Sequence, residues 1–90
     1  MFTKLSPQQV RHSGGYVITV ANREAVEYAE EHRHAEVSVD FGRTVGVYAG
    51  TLTGWITPLG RTPMSSTERA EVLRRIVAGL EAMGSTVELC

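Results

Sequence analysis

Ninety residues with 42% hydrophobic and 21% charged content suffice for one packed core but not two, so a single domain is expected and extended disorder is excluded. The formal charge of −1 lacks the basic excess that general nucleic-acid binding needs, and no apolar run approaches the about 18 residues of a membrane-spanning helix. A lone cysteine, Cys90, excludes an internal disulfide and a cysteine-based zinc site; the polar stretch Met1 to Gln9 does not read as a secretory leader, so a cytoplasmic location is expected.

Residues 1–13 are assigned to the periphery and the core to about residues 16–89. Tyr16 to Val20 is β-branched and aromatic, bounded by Gly14-Gly15 and Asn22, and reads as a strand. Glu24 to His34 admits two readings. Propensity favours a helix capped by Asn22, with Ala25, Tyr28, Ala29 and His32 on one face. The alternative is a strand with Val26 and Tyr28 inward, turning at Glu31 to Arg33. The strand is preferred, because a helix would leave almost no connection before the next element. Ala35 to Phe41 sets Val37, Val39 and Phe41 against Glu36, Ser38 and Asp40, the period of a half-buried antiparallel strand. A turn at Gly42-Arg43 leads into Thr44 to Ala49, completing a hairpin.

The only tryptophan, Trp55, falls in a stretch read as an irregular loop reaching Met64. Ser65 and Glu68 then have the Ser-x-x-Glu spacing of a capping box. From there to Met83, Leu73, Ile76, Val77, Leu80 and Met83 recur at helical spacing, and Gly84 stands where a left-handed C-cap belongs. Glu71 and Arg75 form an i,i+4 pair on the polar side. Gly79, unfavourable inside a helix, implies close approach of that helix to the sheet. Thr86 to Cys90 alternates as a short closing strand. The expected fold is α+β: an antiparallel meander of about four to five strands, with one long C-terminal helix on one face. The opposite face then displays Thr19, Glu27, Glu36, Ser38, Asp40 and Tyr48.

Little catalytic chemistry is legible. His32-x-His34 beside Glu30 and Glu31, with His12 as a distant third imidazole, falls short of a metal-ligand set, so no metal or other cofactor is expected. Asp40 with a histidine and a serine lacks a nucleophile-elbow sequence, and Ser65 is committed to capping. The glycines Gly42, Gly46, Gly50 and Gly54 match no dinucleotide or phosphate-loop spacing. No enzymatic activity is expected. Charge placement is more informative: from Glu24 to Asp40 six acids (Glu24, Glu27, Glu30, Glu31, Glu36, Asp40) face one base, Arg33. That segment reads as either a solvated face or a surface for a cationic partner. Trp55 reads as a loop anchor or as an exposed hot spot, and Tyr48 as an exposed aromatic.

Val26-x-Tyr28, Glu36-Val37-x-Val39, Val47-Tyr48-Ala49 and Gly54-Trp55-x-x-Pro58, with the capped helix carrying Leu73-Arg74-Arg75-Ile76, resemble a family of small bacterial immunity proteins. These accompany polymorphic toxins, including those of contact-dependent inhibition systems. The resemblance spans roughly residues 16–89; Glu30-Glu31-His32-Arg33 departs from it by replacing a glycine-containing hairpin turn. It implies a non-enzymatic inhibitor that binds a cognate toxin in the cytoplasm, with toxins often being nucleases whose clefts are basic. The acidic segment suits such a partner. Candidate contact residues are Glu27, Glu30, Glu31, Glu36 and Asp40, with Tyr48 or Trp55 as aromatic anchor. The alternative is a small interaction or regulatory module that self-associates through its sheet.

Overall fold

The alternation along Ala35–Phe41 becomes the central strand of a nine-stranded sheet in the computed structural model, which describes residues 1–90. The strands are β1 (Phe2–Ser6), β2 (Gln9–His12), β3 (Tyr16–Asn22), β4 (Ala25–Glu30), β5 (Arg33–Phe41), β6 (Val45–Tyr48), β7 (Gly54–Thr57), β8 (Gly60–Pro63) and β9 (Val87–Leu89). One helix, α1 (Ser66–Ala82), precedes β9. The order is β1-β2-β3-β4-β5-β6-β9, with the β7–β8 hairpin branching from β5 at the single pair His34 and Ile56. All pairings are antiparallel except β6 with β9. Because α1 touches β2, β3 and β4 as well as β9 near the other end, the sheet curls around the helix.

The α+β class with one covering helix agrees with the expectation, but nine strands replace four to five. Residues 24–34 form β4 and the start of β5, linked by a tight turn at Glu31-His32; Glu31 takes a positive φ of 40° there, without the glycine such a turn favours. Residues 1–13 are not peripheral. They supply β1 and β2, and Val10 is buried in the core beside Ile18. The stretch carrying Trp55 is likewise no irregular loop but β7, folded onto β8 around Pro58-Leu59.

The helix ends follow their sequence signals. Ser65 Oγ accepts from the Glu68 N–H at 3.1 Å while Glu68 Oε1 accepts from the Ser65 N–H at 3.0 Å. At the far end Gly84, at φ 96°, donates to the Glu81 carbonyl and Ser85 to the Leu80 carbonyl, the paired bonds of a Schellman turn.

The buried stripe shares Ile76 and Leu80 with the expected one but is rotated toward Val72 and Gly79. Val72, Ile76, Gly79 and Leu80 are buried, whereas Leu73 and Val77 are only partly covered. The cause is Gly79: a Cβ there would stand 2.6 Å from Ile18 Cγ1. Seating that glycine on β3 fixes the helix rotation and turns Leu73 and Val77 toward the flank.

Ile76→Ala should therefore cost about 2–5 kcal/mol and Leu73→Ala distinctly less. Gly79→Ala gains about 1 kcal/mol of helix propensity but overpacks Ile18 at about 1–3 kcal/mol, so a net loss is expected. Denaturant melts check both; a Gly79→Ala chain as stable as the parent would show that the helix does not sit on Ile18.

Candidate partner-binding face

Alternation along each strand sends the core residues to one face and their sequence neighbours to the other. The helix-free face carries cross-strand rows fixed by the register. Gln9, Thr19, Glu27 and Glu36 form one row, and Arg11, Val17, Ala29, His34, Ile56 and Arg61 the next. Ala25, Ser38 and Tyr48 form a third, and Asp40, Gly46 and Glu88 a fourth. Glu27 thus stands directly opposite Glu36, an arrangement that disfavours folding unless something cationic intervenes. None of Glu27, Glu36, Asp40 and Glu88 has a basic side chain within ion-pair distance.

Strand β6 leaves β5 at this face, and the Thr51 hydroxyl manages the break. It accepts from the Ser38 N–H at 2.8 Å and donates to the Tyr48 carbonyl at 2.7 Å, replacing a ladder partner. Where β7 then joins β5, a notch of about 170 Å³ opens, lined by Glu36, Ser38, Thr51, Thr53, Ile56 and Arg61 among others. Tyr48, paired with Ser38, is 42% exposed beside it. One carboxylate and three hydroxyls in a small recess can accept hydrogen bonds from a donor group, beside the guanidinium of Arg61 that shares the lining.

The structure divides the candidate residues. Glu27, Glu36, Asp40 and Tyr48 come together on the helix-free face. Glu31 lies in the β4–β5 turn at its margin. Glu30 does not belong: it lies on the helix side, accepting from the Tyr28 hydroxyl at 3.1 Å and 3.7 Å from Arg33. Trp55 offers no docking surface either, being 2% exposed. Its indole N–H donates to Glu68 Oε2 at 3.3 Å, and the Arg33 guanidinium covers its ring at 3.8 Å. The capping-box carboxylate thus also holds the indole and Arg33, at 3.2 Å, joining β5, β7 and the start of α1. Its second oxygen could not be foreseen from the Ser-x-x-Glu spacing.

Arg75 is equally committed. Beyond its pair with Glu71 at 3.0 Å, it donates to the Tyr28 hydroxyl at 2.7 Å and lies 4.8 Å from the Tyr16 ring centre. Glu71 also pairs with Arg74. The histidines do not converge: His12 stacks on Tyr16 on the helix side, while His34 faces the other way opposite Ile56. No three His, Cys, Asp or Glu side chains are grouped to hold a metal ion. No helix is long and apolar enough to cross a membrane. Comparison with protein-family models, characterised proteins and solved structures found no match to this chain.

The Glu68 carboxyl is held below its ordinary value of 4.5 by the Ser65 backbone N–H, then by Trp55 and Arg33; hydrogen bonding from Arg74 lowers Glu71 likewise. Carboxylates depressed in the folded state stabilise it fully above about pH 4.5, and that contribution disappears as pH falls through their folded values. Glu68→Gln should lower stability at pH 7 and reduce the loss seen between pH 5 and 3. Parallel acid melts of the two chains check this; an unchanged acid limb would contradict the assignment.

Proposed function

We propose that this chain is an immunity protein: a cytoplasmic, non-enzymatic inhibitor that binds a cognate bacterial toxin and covers the surface with which the toxin meets its substrate. The observation that carries the reading is the opposed, unpaired Glu27 and Glu36, with Asp40 and Glu88 on the same helix-free face. These four carboxylates outnumber the Arg11 and Arg61 of the neighbouring row and attract a basic protein surface, so the fitting partner is a toxin with a cationic cleft, a nuclease foremost. Glu36, on the wall of the recess across from Arg61, would meet a lysine or arginine of the toxin, and Tyr48 would pack at its rim. The resemblance in residues 16–89 supports the same reading. Self-association face to face is less suited, because it would set these carboxylates against one another.

In this reading the toxin gene lies immediately upstream, and its toxic domain is the binding partner to purify. Reversing Glu36 and Asp40 to Lys together should slow association about tenfold or more and make it less salt-dependent, with the melting temperature nearly unchanged. Glu71→Lys, on the helix side, should leave the association rate unaltered. Stopped-flow binding at several salt concentrations, alongside a growth-protection assay, measures both. If the double reversal leaves association and protection intact, the acidic face is merely solvated and the reading fails.

A further inference from the structure

Turning Val72, Ile76, Gly79 and Leu80 into the core leaves α1 with a second stripe. Ala70, Leu73, Arg74, Val77, Ala78 and Glu81 recur at i, i+3, i+4, i+7, i+8 and i+11, which places them on one face of the helix. This stripe forms one wall of an open groove of about 510 Å³; the other wall is Val87 and Leu89 of β9. The apolar part is substantial, since Leu73 and Val77 are only partly covered and Leu89 is 57% exposed.

The groove runs beside an open sheet edge. The Thr86 carbonyl accepts from the Val45 N–H at 2.7 Å, and the Cys90 N–H donates to the Val47 carbonyl at 2.8 Å. In a parallel ladder the alternate residues direct their backbone groups the other way, so Val87 and Leu89 present theirs at the free edge. Three residues are too few to hold a partner strand alone. The helix stripe must contribute most of any contact made here.

The charges choose the occupant. Arg74 and Glu81 lie at equal distances on either side of the Val77–Ala78 step, with opposite sign. Two α1 helices packed antiparallel about a two-fold axis at that step therefore set Arg74 of each copy, which also pairs with Glu71 of its own chain, against Glu81 of the other. Ala70 and Ala78 keep the helix surfaces close, and Leu73 and Val77 fill the space between them. The same axis brings the two β9 edges together as an antiparallel pair. We infer that this flank is an isologous dimer surface whose partner is a second copy of the chain. The interface lies at the sheet edge, away from the acidic helix-free face, so the inference stands independently of the toxin reading.

A charge-swap experiment on the full chain decides. Sedimentation velocity over a range of concentrations should show reversible dimers of the parent chain. Glu81→Lys and Arg74→Glu, each alone, should weaken self-association about tenfold or more, because each opposes like charges twice across the axis. An equimolar mixture of the two variants should recover dimers, since the mixed pair alone has complementary signs at both contacts. Both side chains are exposed, and circular dichroism should show each variant folded. A parent chain that stays monomeric at every concentration overturns the inference. So do dimers indifferent to both reversals, or a mixture that associates no better than its components.

Discussion

One helix has to serve as the entire second layer for a sheet of nine strands, and the rest of the architecture follows from how it is seated. Its last turn is positioned by absence: Gly79 has no Cβ, and only that lets the α1 backbone come down on Ile18. Its start is positioned by one carboxylate, Glu68, which caps the first turn while holding Trp55 and Arg33. Arg75, bonded to the Tyr28 hydroxyl, adds a third attachment between these two. A helix so fixed covers the concave side of the curl and nothing else, so the opposite face has to be furnished from the strands alone.

That division sorts the charges. Glu30, Glu68 and Glu71 lie on the helix side and each has an arginine partner. Glu27, Glu36, Asp40 and Glu88 lie on the far side and have none. A net charge of −1 therefore conceals a helix side where these three acids are paired and a far face whose four acids are not, with Arg11 and Arg61 in the neighbouring row. Surface ion pairs contribute little to stability, so their absence from the sheet face does not by itself weaken the fold. The direct opposition of Glu27 to Glu36 is different, because folding creates a repulsion there that a random surface would avoid. A basic partner would remove that repulsion.

The parts of the fold that were legible are those where a local signal and the global structure agree. Alternation from Ala35 to Phe41 revealed β5, the Ser65/Glu68 pair revealed the helix start, and Gly84 its end. The segments that escaped are the ones whose side chains carry little pattern. Strands β1 and β8 are almost wholly exposed, so neither shows a buried period, and β2 contributes Val10 as its one fully buried residue. Two apolar stripes overlap on α1, and periodicity could not choose between them; contact with Ile18 did. At the candidate site, alternation alone put Glu27, Glu36, Asp40 and Tyr48 on one face. The same alternation, continued from Val26 and Tyr28, puts Glu30 on the helix side opposite Tyr16 and Arg33, so only its charge grouped it with Glu27. Alternation could not expose the burial of Trp55, which depends on a carboxylate thirteen residues away.

The central claim is that folding leaves Glu27 and Glu36 in uncompensated opposition on the helix-free face. Stability measured by denaturant melts for Glu27→Gln, Glu36→Gln and the double variant, at low and high salt, tests it most directly. Each single change should raise stability by a few tenths of a kcal/mol at low salt, the double should add little more, and the gains should shrink as salt screens the pair. Single changes that lower stability, or gains that simply add and ignore salt, would contradict the account.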